Sequence, residues 1–146
     1  MSTTESRLAP PVDAAWAWKP YEPDSRQPWD LRKAGHLLRR AGFGATWKEL
    51  QQALADGPQQ TVDRLVQATD QAAAFNRDYD QYERSAIDPD TNSPDALRQW
   101  WLRRILETPH PFLEKMTLFW HNHFGTSAAR VQFTRFMHDY VRLLRT

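Results

Sequence analysis

The sequence predicts an all-α protein of about six short to medium helices, packed as an irregular orthogonal or antiparallel bundle. Apolar residues recur at helical spacing along most of residues 30–146. No segment shows the apolar–polar alternation that is typical of a half-buried strand. Gly and Pro interrupt the periodic segments at intervals that suit short helices joined by tight turns.

Composition limits the classes of protein to consider. The 146 residues suit one domain, carry a formal net charge of +1 and contain no cysteine, which excludes disulfides and thiolate metal sites. No apolar run reaches the length of a membrane span. Residues 1–30 lack the apolar core of a signal peptide. We therefore expect a soluble, cytoplasmic chain without a membrane partner.

Residues 1–29 are rich in Pro and are predicted to form an extended arm, which precedes a helical domain over residues 30–146. The aromatic side chains of the arm are Trp16, Trp18, Tyr21 and Trp29. Such side chains are unusual in a free tail because they carry large apolar surfaces. We expect them to dock on the helical body of the same chain rather than on a partner.

The first predicted helix covers residues 31–41. Asp30 has the identity and position of its N-cap, and Gly42 is expected to end it as a left-handed C-cap residue. Helical spacing places one set of apolar residues inward, namely Leu31, Ala34, Leu38 and Ala41.

The second and third predicted helices meet at Gly57-Pro58. Thr46 and Glu49 have the spacing of a capping box, which starts the second helix. The third runs from Pro58 to about residue 68. The apolar faces of the two helices are predicted to be Trp47, Leu50 and Leu54, and Val62, Leu65 and Val66.

The polar stretch at residues 69–92 is predicted to be a partly helical excursion that leads to a loop at residues 88–90. Residues 88–92 match the start of a calcium-binding loop. However, the sixth position is Ser93 rather than Gly, and the twelfth is Gln99 rather than Glu. The acidic residues are therefore interpreted as turn formers before a helix.

The fourth helix has a strong predicted start in Ser93, Pro94 and Asp95, and ends near Glu107. Its inward residues are predicted to be Leu97, Trp100, Trp101 and Ile105. The fifth helix covers residues 111–123 and is predicted to bury Phe112, Met116, Phe119 and Trp120. Trp101 and Trp120 are therefore expected to pack near each other.

The sixth helix is predicted from Val131 onward. Its apolar face consists of Phe133, Met137, Tyr140 and Leu144. The segment is still apolar near residue 144 and shows no C-cap signal. We interpret this as a helical domain truncated on its carboxyl-terminal side.

Two segments carry a family resemblance. The first is HLLRRAGFGAT at residues 36–46, and the second combines WWL at 100–102, TPHP at 108–111, EKMTLFWHNHF at 114–124 and TS at 126–127. Together they resemble the amino-terminal portion of a large bacterial family, the domain of unknown function DUF1800. This resemblance implies a longer, mostly helical protein with a further block, rich in Asn, Glu, Arg and Leu, beyond residue 146.

The resemblance carries two further implications. Relatives tend to have Gln-Asn where this chain has Tyr140-Val141, so the chain departs from the family pattern at this polar pair. Relatives are often encoded beside sulfatase-like proteins, which implies a sulfatase-like neighbour as a partner. The missing carboxyl-terminal region, or a second copy of the chain, is the other expected partner.

His121 and His123 are the candidate metal ligands, because neutral imidazole is the commonest protein metal ligand. Positions i and i+2 of a helix point to different faces, so one shared ion requires the helix to have ended by Asn122. His123 continues the predicted apolar face, which favours a hydrogen-bonded core histidine, while His121 points away from it. The sequence assigns no catalytic residue and no cofactor.

Arginines flank the tryptophans of the fourth helix, a mixture that can stack on bases and hold phosphates. They are Arg98, Arg103 and Arg104. Acids nearly balance bases over the chain, and Asp95 and Glu107 stand at ion-pair spacing from two of these arginines, which favours a solvated helix face. The Gly42-Phe43-Gly44 segment lacks the lysine of a phosphate-binding loop.

Three classes of function remain. The leading interpretation is a helical scaffold or interaction segment of a larger protein, with no complete active site on this chain. The second is part of a metal- or cofactor-dependent enzyme that uses His121 or His123 and is completed by a carboxyl-terminal half. Nucleic-acid binding ranks last.

Overall fold

The computed structural model describes residues 14–67, 70–86, 93–127, 129–131 and 133–145. Within these residues a short 3₁₀ turn, Ala14–Trp18, precedes six α-helices. The helices are α1 (Leu31–Ala41), α2 (Trp47–Val66), α3 (Asp70–Ala86), α4 (Pro94–Glu107), α5 (Pro111–Phe124) and α6 (Thr134–Leu143). No described residue lies in a strand, so the all-α prediction is confirmed. None of the described helices is both long and apolar enough to cross a membrane.

The helix starts follow from local side-chain chemistry. The Asp30 carboxylate accepts the Lys33 backbone N–H at 2.9 Å. At the start of α2, the Thr46 hydroxyl accepts the Glu49 backbone N–H, and the Glu49 carboxylate accepts the Thr46 backbone N–H. Ser93 likewise accepts a backbone N–H of the first turn of α4. Each cap satisfies backbone donors that have no partner within the helix, and all three predicted caps are confirmed.

The second and third predicted helices form one bent element, α2. Gly57 has φ 78° and ψ 176°, a conformation that favours glycine, and Pro58 restarts the helix immediately after it. The Thr61 hydroxyl donates to the Gly57 carbonyl at 2.6 Å, which satisfies an acceptor at the bend. The predicted break is therefore a kink without a connecting loop.

Gly42 does not adopt the predicted left-handed conformation, since its φ is −145° and its ψ is −149°. A close approach explains the glycine instead. A Cβ atom at this position would lie 3.0 Å from the Leu38 carbonyl oxygen and 3.4 Å from the Pro111 Cβ. The absence of a side chain at Gly42 lets the start of α5 pack against the end of α1.

The polar stretch that follows α2 is more helical than predicted. Residues Asp70–Ala86 form the continuous helix α3, which buries Ala72, Tyr79 and Glu83. The Tyr79 hydroxyl donates to the Trp100 carbonyl at 2.8 Å and joins α3 to α4. The loop predicted at residues 88–90 lies outside the described residues.

Two apolar clusters hold the helices together. The first lies between α1 and α2 and contains Ala34, Leu38, Ala53 and Leu65. The second joins α3, α4 and α6 through Tyr79, Leu97, Trp100, Met137 and Val141. Helix α5 contacts α1 and α2, and its buried face reaches α4 by hydrogen bonds. Helix α5 therefore connects the two clusters.

The apolar face predicted for α2 is largely wrong. Trp47 is 61% exposed and Val66 is 55% exposed, whereas Ala53 and Thr61 are fully buried. Small side chains at these positions let α1 and α2 approach closely, and the larger residues are left at the rim. The bend at Gly57 also changes which residues of the second half face α1.

Helix α6 begins later than predicted, at Thr134 rather than near Val131. Met137 is buried as predicted, but Phe133 is 58% exposed and Val141 is buried in its place. A glycine at the C-cap ends α5, the helix that precedes α6. Gly125 has φ 61°, the left-handed conformation that ends many helices.

The described part of the arm docks in part on the helical body. The Trp29 Nε1 atom donates to the Ala53 carbonyl of α2 at 2.9 Å. The Tyr21 hydroxyl accepts from Lys33 Nζ of α1 at 2.9 Å. Trp18, in contrast, is 87% exposed, so the prediction that it docks is wrong. Residues 1–13 and the Trp16 side chain lie outside the description.

Candidate functional site

The inner face of helix α5 differs from the predicted one, of which Phe112 and Met116 are partly buried. Glu114 and Thr117 are fully buried, whereas Phe119 is 53% exposed and Trp120 is 38% exposed. The expectation that Phe119 and Trp120 point inward is therefore wrong, and Trp120 does not share a core with Trp101. The helix carries apolar residues around most of its circumference, so hydrophobic spacing alone does not decide its inner face.

The inner face of α5 is fixed by a buried carboxylate. Glu114 Oε1 accepts Arg104 Nε at 2.7 Å and Arg145 Nε at 2.8 Å. Its Oε2 atom accepts Arg145 Nη2 at 3.0 Å and Trp101 Nε1 at 3.2 Å. The side chain of Arg104 is 4% exposed and that of Arg145 is 11% exposed. The carboxylate thus joins α4, α5 and the segment after α6.

Two opposing effects determine the protonation of this cluster. Burial alone would raise the pKa of Glu114, but the hydrogen bonds and charges of Arg145 and Arg104 lower it below its ordinary value. Burial in turn lowers the pKa of Arg145. Glu114 is therefore ionised and already accepts four hydrogen bonds. This geometry suits a structural ion cluster rather than a general base, which needs a free lone pair.

A second acid cluster joins α3 to α6. Glu83 Oε1 lies 2.7 Å from His138 Nε2 and 3.2 Å from Arg142 Nη1. The contact with His138 is a close electrostatic one rather than a well-aligned hydrogen bond. Burial would raise the pKa of Glu83, but His138 and then Arg142 lower it below its ordinary value. The His138 ring packs edge-on against Trp100, with centroids 5.1 Å apart.

His121 lies at a small pocket of about 260 Å³ between α4, α5 and α6. Its ring is edge-on to Trp101 at 5.3 Å and lies 5.8 Å from the ring of Tyr140. Burial lowers the pKa of His121, so the imidazole is neutral near pH 7. Its Nδ1 atom and the Tyr140 hydroxyl are buried without a hydrogen-bond partner in the described part of the chain. His121 therefore brings an unsatisfied polar atom to a pocket whose lining mixes apolar and polar side chains.

His123 is exposed and lies among the rings of Phe119, Trp120 and Phe124. The sequence predicted the opposite assignment, with His123 in the core and His121 facing outward, and that assignment is wrong. The two imidazoles have different neighbours, and the structure does not bring them to one site. Among the described residues, no group of three or more potential ligands could hold a metal ion. Metal binding by either histidine stays a prediction.

The first signature segment folds into α1 and the turn after it, and the second builds α4 and α5. The two meet where Gly42 packs on Pro111, and the His110 Nε2 atom donates to the Leu65 carbonyl at 2.9 Å. A model of the family described as "Protein of unknown function (DUF1800)" matches residues 36–146. The chain belongs to the DUF1800 family. No curated protein and no solved structure matches it.

Three residues of the region that matches the DUF1800 model serve helix packing. Glu114, Gly42 and Trp100 lie in the matched region, and each makes a buried contact between helices. At the position where the resemblance implies Gln-Asn, Val141 lies in the second apolar cluster and Tyr140 lies beside His121.

Sequence reasoning missed the Glu114 cluster, although a signal was present. Glu114 is the sole acidic residue of α5, and Thr117 and His121 follow it at i+3 and i+7. That spacing places the three on one helical face. A polar row through an apolar helix indicates either a solvated face or a buried polar network, and the paired arginines lie too far away in sequence to decide between them.

Proposed function

We propose that this chain is a helical interaction module that self-associates weakly through an aromatic surface on α5. The aromatic surface consists of Phe119, Trp120, His123 and Phe124. Its exposure on a helix that buries a carboxylate is the observation that carries the proposal, because the usual arrangement of a surface helix is the reverse.

The four rings form one continuous patch. The centroid of Trp120 lies 5.0 Å from that of Phe119, 5.6 Å from that of His123 and 5.7 Å from that of Phe124. At roughly 150–250 Å² per ring, three apolar rings about half exposed present about 300 Å². A contiguous apolar patch of that size on a monomer often has a function.

A second copy of the chain is the occupant that we propose. The surface has no acidic or cationic side chain, and His123 is its one titratable member. Two copies can therefore meet without repulsion between like charges. The formal net charge of +1 adds little long-range repulsion. A patch that pairs with itself gives a twofold dimer in which each ring meets its counterpart. The small area predicts a weak, concentration-dependent dimer rather than an obligate one.

Replacing both Phe119 and Trp120 by Ser should abolish this association without unfolding the chain, because both side chains are half exposed. Sedimentation equilibrium should show a mass that rises with concentration for the parent chain and a monomer for the double variant. The matched control is Leu106→Ser, which removes an apolar side chain that is 75% exposed on α4. The control variant should associate like the parent.

Two results contradict self-association. One is a parent chain that remains monomeric at all concentrations and binds no hydrophobic dye. The other is a monomer whose dye binding is suppressed only by a separately supplied carboxyl-terminal segment of a DUF1800 protein, which would make that segment the occupant.

The absence of cysteine suits a reducing compartment, and we place this association in the cytoplasm.

The pocket at His121 favours a second candidate, a part of a metal- or cofactor-dependent enzyme. The supporting observation is the buried, unpartnered Nδ1 atom of His121, a residue that lines this pocket. A tight zinc site needs three or four ligands. We therefore expect the dialysed chain to retain no zinc by atomic absorption. Stoichiometric zinc that is lost in His121→Ala and kept in the exposed control His123→Ala would favour the enzyme instead.

A further inference from the structure

A groove of about 820 Å³ lies between the arm, the outer face of α1 and the second half of α2. Four cationic side chains of α1 line it, namely Arg32, Lys33, Arg39 and Arg40. None of its lining residues, all of which are described, is acidic. The volume lies in the range of small-molecule sites, roughly 300–1,000 Å³.

The cations of the groove have no acidic partner. Arg32, Arg39 and Arg40 form no ion pair within the described part of the chain. Three arginines of α2 and α4 are paired with acids, as Arg64–Asp56, Arg98–Asp95 and Arg103–Glu107. Other exposed arginines outside the groove, such as Arg77 and Arg135, form no ion pair among the described residues. What sets the groove apart is that four cations line one cavity without an acid among them.

The helix dipole explains only part of this charge. Arg39 and Arg40 lie in the last turn of α1, where cations are favoured. Arg32 and Lys33 lie in the first turn, where cations are disfavoured and acids are usual. The Asp30 carboxylate caps the helix by accepting a backbone N–H. Neither the Arg32 nor the Lys33 side chain forms an ion pair with Asp30. Helix stability therefore does not account for the pair at the start of α1.

Two aromatic side chains of the arm, Tyr21 and Trp29, also line the groove. The rings of Tyr21 and Trp29 lie 6.2 Å apart, and both are held in place. Trp29 Nε1 donates to the Ala53 carbonyl, and the Tyr21 hydroxyl donates to the Gln27 carbonyl at 2.7 Å. Fixed aromatic rings and a row of cations in one groove suit a ligand with a planar apolar part and an anionic part.

We propose that this groove binds a nucleoside polyphosphate or a closely similar phosphate-bearing molecule. Arg32 and Arg40 are eight residues apart, so their backbones are separated by about 12 Å along the helix. That length suits a chain of phosphates better than a single anion. The planar base would pack on Tyr21 and Trp29, and the phosphates would accept hydrogen bonds from the arginines. This site is separate from the aromatic surface of α5.

Isothermal titration with adenosine triphosphate, tripolyphosphate and adenosine tests the proposal. We expect the triphosphate to bind, tripolyphosphate to bind more weakly, and adenosine to give no measurable heat. Added salt should weaken the binding, because the contacts are largely ionic. The double variant Arg32→Gln, Arg39→Gln should lose about tenfold or more in affinity, because it removes two charge-assisted contacts.

The matched control is Arg98→Gln, Arg103→Gln, which removes the same charge from paired arginines outside the groove. It should keep the parent's affinity. The single exposed change Arg40→Gln provides a second groove variant if the double variant does not fold. Trp29→Leu should weaken binding of the nucleotide but not of tripolyphosphate.

Three outcomes overturn the proposal. They are no binding of the nucleotide or tripolyphosphate at low salt, an equal loss in the control and groove variants, and a short single-stranded oligonucleotide that binds the groove tenfold more tightly than the nucleotide. The last result would assign the groove to nucleic acid. Because the aromatic-surface variant leaves the groove intact, nucleotide binding is independent of the outcome for self-association.

Discussion

Replacing Glu114 by Gln should lower the free energy of unfolding by about 3–5 kcal/mol, because it leaves two buried arginines without a counter-charge. The carboxylate is fully buried and accepts hydrogen bonds from Arg104, Arg145 and Trp101. Such a loss is a large part of the roughly 5–15 kcal/mol that stabilises a typical domain. Urea unfolding followed by circular dichroism measures it.

The control for this variant is Glu107→Gln, which breaks an exposed ion pair with Arg103 and should have a far smaller effect. A second comparison uses acid. The pKa of Glu114 is lowered in the folded chain, so its contribution is present above the ordinary value of about 4.5 and is lost as the pH falls through the folded-state value. Glu114→Gln should flatten stability against pH in that window. Equal stability losses in the two variants would contradict the buried ion cluster.

Replacing Trp100 by Ala should cost about 3–5 kcal/mol, whereas Trp120→Ala should cost less than about 1 kcal/mol. Trp100 is 1% exposed and packs against Tyr79 and His138. Trp120 is 38% exposed, and its ring neighbours, such as Phe124, lie on the same helix. The two variants remove the same side chain, so the difference in unfolding free energy reports burial. A larger loss at Trp120 would mean that α5 faces inward with its aromatic side.

The sequence predicts the helices well because their ends depend on local chemistry. Asp30 and the Thr46–Glu49 capping box act on backbone groups within four residues, so their effects are visible in the order of residues. Gly57-Pro58 marks the bend in α2 for the same reason. The left-handed conformation predicted for Gly42 is wrong, because the role of this glycine depends on Pro111, which is distant in sequence.

The faces of α2 and α5 are harder to predict because tertiary contacts decide them. In α2, Ala53 and Thr61 are buried since close helix contact favours small residues over the larger Trp47. In α5, apolar spacing fits two orientations, and the arginines that select one of them, Arg104 and Arg145, lie on other elements. Because His121 and His123 lie on α5, the same ambiguity affects them. His121 is therefore the more buried of the two, although the sequence predicted His123 to be buried.

The most direct test of the account is the solvent accessibility of Trp100 and Trp120 in the folded chain. Fluorotryptophan labelling with ¹⁹F NMR resolves both side chains, and Trp→Phe variants assign them. A soluble paramagnetic chelate should broaden the Trp120 resonance in dilute solution and leave Trp100 unaffected, and a rise in protein concentration should protect Trp120. A protected Trp120 in the dilute monomer, or a broadened Trp100, would contradict the exposed aromatic surface and the proposed association.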